Sequence, residues 1–301
     1  MTRRGWVLFA AMAFIWGVPY FFIRVAVKAL APPVVVFGRT SIAAVALLFL
    51  ARRAGALRPA LARWKPVLAF GIIEMAIPWI LLTHAEEHLA SGLAALIIAS
   101  VPVVGAIAAF ALGERSALRL VRVLGIVLGL SGVALLVGRN LSGDTPPPWW
   151  SVAEVLVVVV CYATAPFIAD RKLQDVPSLG VISLCLGVVT LIYAPLAAFS
   201  LPDTAPRATV VWSVVGLAVI CTGIAFVVFF RLIAEVGPAR AGLITFANPV
   251  VAIALGAVFL DEEVTAFTAA GFLCVIGGCW LATRPAPAPV ASDPELAGLT
   301  S

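Results

Sequence analysis

Hydrophobic residues along this chain form long continuous runs and do not alternate with polar ones. Ten runs are separated by short segments rich in Pro, Gly or charged residues. A run of about 20 apolar residues is long enough for a helix to cross a bilayer core of roughly 30 Å. Continuous runs also indicate helices and not barrel strands. The pattern therefore predicts ten transmembrane helices, at 6–27, 34–51, 67–84, 90–112, 120–138, 150–169, 177–199, 210–230, 239–260 and 266–283.

Composition supports an all-α membrane protein. Of the 301 residues, 63% are hydrophobic and 12% are charged, and the mean hydropathy is +1.13. A soluble domain carries about 25% charged residues, so this chain has too few to cover a surface that faces water. The net charge of +5 does not indicate nucleic acid, because the basic residues lie between apolar runs and form no patch interleaved with aromatics. The expected surroundings are a lipid bilayer.

Basic residues indicate how the helices are oriented. Most of the twenty Lys and Arg lie in alternate short loops, such as the segment 52–65, and the other set of loops holds only Lys28, Arg139 and Arg207. Loops rich in Lys and Arg stay in the cytoplasm. We therefore expect both termini to be cytoplasmic, with the acidic segments Glu86-Glu87 and 261–263 outside.

One phrase occurs twice, as SVPVVGAIAAFALGER from residue 100 and as ANPVVAIALGAVFLDE from residue 247. At this offset of 147 positions, Pro102 falls on Pro249 and Glu114 on Asp261. The chain thus divides into two five-helix units, residues 6–138 and 150–284. Five is odd, so the copies have opposite orientations, an inverted repeat typical of transporters that alternate between two open states. Residues 285–301, rich in Pro and Ala, are predicted to form a disordered cytoplasmic tail.

Both repeated prolines lie near the middle of a predicted span. Proline removes one backbone hydrogen bond and bends a helix. Two interpretations of Pro102 and Pro249 remain open: hinges beside a transport path, or structural kinks of the kind common in membrane helices.

The sequence resembles the EamA-type branch of the drug/metabolite transporter superfamily over about residues 6–284. The residues that carry the resemblance are Trp16-Gly17, Phe37-Gly38-Arg39, Pro102 with Gly113-Glu114-Arg115, and 231–256. The resemblance implies a ten-helix inner-membrane exporter of amino acids, metabolites or drugs. The sequence departs from the family at Leu260-Asp261-Glu262, where a Gly-Glu pair is usual.

Ionisable residues inside the spans are candidates for function, because each is costly in a membrane. Glu74 lies about 10 Å into the third span at 1.5 Å per residue. It is the candidate coupling residue for protons or a partner for a substrate amine, and the alternative is a structural ion pair with Arg39. Arg39 is a candidate for binding a substrate carboxylate, or it extends towards the interface. Arg24 is expected to extend in that way.

The other predicted cavity residues are aromatic or amide: Trp16, Tyr20, Trp79, Tyr162 and Asn248. Aromatic walls with few charges suit zwitterions that carry apolar side chains. The alternative for each aromatic residue is packing or contact with lipid. His84 and His88, near Glu86 and Glu87, are expected to be solvated loop residues.

The sequence contains no Walker-type phosphate loop, and the five cysteines form no cluster with metal spacing. We therefore expect no cofactor, no metal and no enzymatic activity. The predicted function is secondary active export of small metabolites, foremost neutral or aromatic amino acids, across the bacterial inner membrane. The alternatives are a drug or cation exporter, a passive facilitator or exchanger and, outside transport, a membrane enzyme acting on lipids. The choice between monomer and dimer stays open.

Overall fold

A computed structural model of the protein describes residues 2–111, 120–141 and 146–282. Every regular element in these residues is a helix, as the hydrophobic runs predicted. The elements are α1 (Arg3–Ala26), α2 (Pro32–Arg53), α3 (Leu57–Ala62), α4 (Trp64–Gly71), π1 (Ile72–Ala76), α5 (Ile77–Ala85), α6 (Ser91–Ile98), α7 (Val101–Ala111), α8 (Leu120–Leu141), α9 (Trp149–Lys172), α10 (Ser178–Ala198), α11 (Ala208–Ala218), π2 (Val219–Ile224), α12 (Ala225–Val236), α13 (Pro238–Ala241), α14 (Ile244–Phe259) and α15 (Ala266–Ala282). The predicted tail and Glu114 lie outside the described residues.

Eight of the predicted spans form helices that are long and apolar enough to cross a membrane. Three of these eight are composite: α4–π1–α5, α6–α7 and α11–π2–α12. The last two spans form shorter apolar helices, α14 with 16 residues and α15 with 17 described residues. The structure therefore shows eight long apolar spans and two shorter helices where the sequence predicted ten crossings.

The third and eighth spans each contain a π-helical segment. π1 begins at Ile72 and π2 at Val219, which are 147 positions apart, the offset of the repeated phrase. A π segment accommodates one additional residue in a helical turn and occurs frequently at functional sites. The two repeats thus share a backbone irregularity that hydrophobic periodicity does not reveal.

Contacts between the two halves come in matched pairs. The second helices of the repeats, α2 and α10, pack together, and so do the fifth helices, α8 and α15. The first helix of each repeat packs against the third and fourth spans of the other repeat. Individual contacts repeat in the same way. A Cβ added to Gly38 would lie 2.7 Å from the Val214 side chain. The residues at the equivalent positions, Cys185 and Val67, are also in contact, through the Cys185 thiol and the Val67 carbonyl oxygen. The packing is that of two repeats related by a pseudo-twofold axis.

The contact between α8 and α15 depends on glycine. A Cβ added to Gly278 would lie 2.3 Å from the backbone nitrogen of Gly129, and one added to Gly125 would lie 2.7 Å from the Gly278 carbonyl oxygen. Glycines allow two membrane helices to approach backbone to backbone. These glycines therefore join the first repeat to the second.

The two repeated prolines occupy different backbone settings. The fourth span breaks after Ile98, and Pro102 follows the break near the start of α7. At the break, the Ser100 hydroxyl donates to the Ile97 carbonyl oxygen at 2.6 Å. In the ninth span the break lies at 242–243, and Pro249 lies inside α14. Pro102 thus lies directly after the break in its span, whereas Pro249 lies within a regular helix, and the hinge role of both prolines remains a prediction.

Candidate functional site

Arg39 lies in the interior of the bundle. Its side chain projects from α2, and the residue is 8% exposed. Its Nε donates to the Thr222 hydroxyl in π2 at 2.9 Å, and its guanidinium lies 3.8 Å from the centre of the Trp79 ring. A planar guanidinium stacks well on an indole. Arg39 is thus held from two sides and does not extend towards the interface.

The predicted ion pair between Arg39 and Glu74 does not form. Within residues 2–111, 120–141 and 146–282, no carboxylate oxygen lies within 4.0 Å of Arg39. The physical reason is that Thr222 and Trp79 already fix the guanidinium. Glu74 lies in π1, is partly exposed, and has the side chains of Tyr162 and Cys185 as its electrostatic neighbours.

Four of the seven predicted cavity residues come together around the guanidinium. Trp79 is buried beneath it, and the Tyr162 hydroxyl interacts with the Trp79 side chain. Tyr20 is buried and lies within electrostatic range of both Arg39 and Tyr162. Tyr20, Arg39, Trp79 and Tyr162 therefore form one group, called the aromatic chamber below. The chamber combines one fixed cation with three aromatic side chains.

Trp16 and Asn248 lie outside this group. The Trp16 ring packs against Phe226 and Phe229 of α12, at centroid distances of 6.2 and 4.6 Å. With its amide oriented to satisfy its neighbours, Asn248 donates to the carbonyl oxygens of Ile244 at 2.9 Å and Ala13 at 3.2 Å. Asn248 thus connects α14 to α1, so its amide nitrogen is engaged with the backbone.

Glu86 is a residue that the sequence analysis placed wrongly. It was expected in a solvated loop, but it is 0% exposed, and neither of its carboxylate oxygens has a hydrogen-bond partner. Arg24, which was expected to extend to the interface, instead donates to the Glu86 backbone carbonyl. Burial and the nearby Glu262 raise the pKa of Glu86 well above its usual range, although Arg24 and Arg39 oppose the rise.

A signal for this burial was present in the sequence. Trp79, Leu82, Thr83 and Glu86 follow the spacing i, i+3, i+4, i+7, which places them on one helix face. All four residues are buried. The charge of the Glu86-Glu87 pair indicated a loop, but the helix periodicity assigned only one of the two residues to the interior.

Glu262 fixes the start of α6 from the other repeat. Its carboxylate accepts from the Ser91 backbone N–H at 2.7 Å, the Gly92 N–H at 3.0 Å and the Ser91 hydroxyl at 3.0 Å. Asp261, just before it, has φ = 56°, a conformation that favours glycine. Of the two acids, Glu262 is therefore the one that caps α6, and Glu114, which aligns with Asp261 in sequence, lies outside the described residues.

The histidine cluster is also more structured than expected. His84 Nδ1 lies 2.8 Å from Glu154 Oε1, and the His84 ring stacks on Trp150 at 5.0 Å. His88 contacts the same indole edge-on at 4.9 Å. The end of α5 that is predicted to lie outside is thereby joined to the start of α9.

A surface groove lies at the opposite end of these spans. A groove of about 720 Å³ lies between α4 and α9 at the end predicted to be cytoplasmic, and its lining includes Arg63, Lys65, Ala69 and Lys172. The position equivalent to Ala69 in the second repeat is Gly216. Phe22 packs on Gly216, where an added Cβ would lie 2.6 Å from the Phe22 ring. Equivalent places in the two repeats are therefore open in one and closed in the other.

Comparison with known sequences gives the family. Residues 3–138 and 149–284 each match the EamA-like transporter family. The chain belongs to the EamA-like transporter family. The two matches coincide with the two halves that pack symmetrically, so the two-repeat architecture is shown by sequence and by structure.

Relatives agree with this assignment. The chain is 29% identical over 299 residues to the uncharacterized inner membrane transporter YedA of Escherichia coli strain K12, covering 94% of each chain. It is 27% identical over 288 residues to a probable terminal-alkyne amino-acid exporter of Streptantibioticus cattleyicolor, again covering 94% of each. A solved crystal structure matches with a TM-score of 0.66 at 21% identity, covering 94% of this chain and 97% of that one, which supports the fold.

The EamA-like protein is thus a multi-pass inner-membrane transporter whose cargo is a small molecule. The predicted family and location are confirmed. Trp16-Gly17 and Phe37-Gly38-Arg39, two of the motifs that carried the resemblance, lie at helix contacts: Gly17 against Val251 and Gly38 against Val214.

Proposed function

We propose that this transporter exports small zwitterionic metabolites, foremost neutral or aromatic amino acids, across the bacterial inner membrane. The observation that carries the proposal is the buried Arg39 guanidinium fixed on Trp79 in the aromatic chamber. A preorganised guanidinium binds a carboxylate, and an aromatic wall binds an apolar side chain. The name of the relative from Streptantibioticus cattleyicolor, an amino-acid exporter, agrees with this substrate class.

The mechanism we propose is alternating access by ten membrane helices with both termini cytoplasmic. It is supported by the open groove between α4 and α9 and the closed contact of Phe22 with Gly216 at the equivalent place. Inverted repeats produce the second state when the two halves exchange conformations. In that exchange the groove closes and the Phe22 contact opens.

Purified protein in lipid vesicles tests the substrate class. Counterflow of radiolabelled amino acids is compared with uptake of cationic dyes. Arg39→Met is expected to abolish amino-acid counterflow, because it leaves the carboxylate without its partner. Arg207→Met, in an exposed loop, is the control and should retain transport. Dye transport without amino-acid counterflow would contradict the proposal and favour the drug or cation exporter.

Coupling to protons is a separate part of the proposal and concerns Glu74. Glu74 lies in a π segment beside the chamber and has no ion-pair partner in the described part of the chain. Glu74→Gln is expected to retain counterflow and to lose accumulation driven by a pH gradient, because the amide cannot carry a proton across. A wild-type protein indifferent to the pH gradient would contradict coupling and indicate a facilitator or exchanger.

A further inference from the structure

A buried carboxylate without a partner requires an explanation. Native proteins leave few buried polar atoms without hydrogen bonds, and an isolated buried charge is costly. Both carboxylate oxygens of Glu86, at the end of α5, are buried and have no hydrogen-bond partner. The transport mechanism proposed above does not use this side chain.

Neighbouring charged residues do not pair with the Glu86 carboxylate. Arg24 donates its hydrogen bond to the Glu86 backbone carbonyl oxygen, and Arg39 is fixed by Thr222 and Trp79. Neither arginine forms an ion pair with the Glu86 carboxylate within 4.0 Å in the described parts of the chain. Glu262, the other acid nearby, is engaged at the start of α6.

Glu86 and Arg39 nevertheless act on each other electrostatically, and Tyr20 lies within range of both. The site thus contains a buried carboxyl group without a hydrogen-bond partner and a fixed cation, and Tyr20 lies within electrostatic range of both. An α-amino acid carries a cation and an anion a few bonds apart. One such molecule would give both buried groups their counterparts at once.

We propose that Glu86 binds the α-ammonium group, and Arg39 the α-carboxylate, of an amino acid held in the aromatic chamber. The proposal rests on the proposed function and adds the residue that recognises the amine. A metal ion fits the site poorly, because Glu86 is a single free carboxylate and the described residues hold no group of three His, Cys, Asp or Glu side chains suited to a metal.

The site also predicts competition between a proton and the ammonium group. Protonated Glu86 is neutral and cannot pair with an ammonium. Among the groups facing it, Glu262 raises its pKa and Arg24 and Arg39 lower it, while burial dominates and keeps the pKa well above the usual range. Affinity for the amino acid should therefore fall about tenfold for each pH unit below the pKa of Glu86, and level off above it.

Binding measurements on the detergent-purified full chain test the site. The probes are the amino acid with the strongest counterflow and its two analogues that lack one group; for phenylalanine these are 2-phenylethylamine and 3-phenylpropanoate. Wild-type protein should bind the amino acid more tightly than either analogue. Glu86→Gln should weaken amino-acid binding about 10- to 100-fold, leave 3-phenylpropanoate unchanged and remove the pH dependence.

The matched control is Glu87→Gln, which alters the adjacent acid that lies 3.7 Å from His84. It should leave all three affinities and the pH profile unchanged. Glu74→Gln distinguishes the role of Glu74 from that of Glu86. This variant should retain the pH dependence of binding.

The outcomes separate this proposal from the proposed function. If the wild type binds no amino acid, both are wrong. If it transports an amino acid but Glu86→Gln binds like Glu87→Gln, or the wild type binds 2-phenylethylamine as tightly as the amino acid, only the Glu86 site is wrong. If Glu86→Gln does not fold, the analogue series and pH profile of the wild type still decide.

Discussion

Individual polar residues in this transporter owe their positions to partners from distant segments. Arg39 was predicted to pair with Glu74, and it instead binds a hydroxyl 183 positions away and stacks on Trp79. The hydroxyl of Thr222 lies in π2 and itself donates to the Leu217 carbonyl oxygen at 2.8 Å. Thr222 therefore accepts from the arginine and donates to the backbone.

Thr222→Val tests this support for Arg39. The substitution keeps the shape of the side chain and leaves the Arg39 Nε buried without an acceptor, which costs about 1–3 kcal/mol. We expect a lower thermal unfolding midpoint in detergent and weaker amino-acid binding. Thr190→Val is the matched control, because its hydroxyl bonds only to its own helix, at Leu186. Equal midpoints for the two variants would contradict the role of Thr222.

At the scale of elements, the helices combine regular runs with local irregularities that occur in both repeats. The π segments begin at Ile72 and Val219, which are equivalent positions in the two repeats. Each π segment places polar side chains beside the aromatic chamber. The fifth helices, α8 and α15, carry no such segment and approach closely through glycines. The repeats are therefore joined by a tight glycine contact, while the irregular spans provide the site.

Gly278→Ala tests the glycine contact. The added Cβ would lie 2.3 Å from the backbone nitrogen of Gly129, and neither backbone can move without separating the helices. We expect a loss of about 1–3 kcal/mol in the free energy of unfolding, measured as a lower denaturation midpoint. Gly277→Ala is the control, since its Cβ would meet only the tip of Leu128 at 3.6 Å. A Gly278 variant as stable as this control would show that α8 and α15 separate easily.

At the scale of the whole molecule, the two similar halves differ in packing at one pair of equivalent places. The groove between α4 and α9 is open, and the place related to it by the repeat is closed by Phe22. The odd number of predicted spans in each half places these two sites at opposite membrane faces. Under the predicted topology the groove faces the cytoplasm and the Phe22 contact lies towards the outside.

Thiol labelling tests the topology. A cysteine at Asp203, in an exposed loop after α10, should react with an impermeant reagent added to intact cells. A cysteine at Arg171, exposed at the end of α9, should react only after the membrane is opened. The parent protein, with its five cysteines, gives the background. The reverse pattern would invert the protein and place the groove outside.

The sequence by itself determined the helical class, the two repeats and the family, because hydrophobic runs and repeated motifs are local properties of the chain. Tyr20, Arg39, Trp79 and Tyr162 were four of the seven predicted cavity residues, and their binding of a substrate stays a prediction. Only the tertiary structure decided which polar groups meet. Glu86 is fully buried, and Glu262 reaches a helix start 171 positions away. Helix periodicity placed Glu86 on a buried helix face, but the groups that Glu86 and Glu262 meet depend on helix packing in three dimensions.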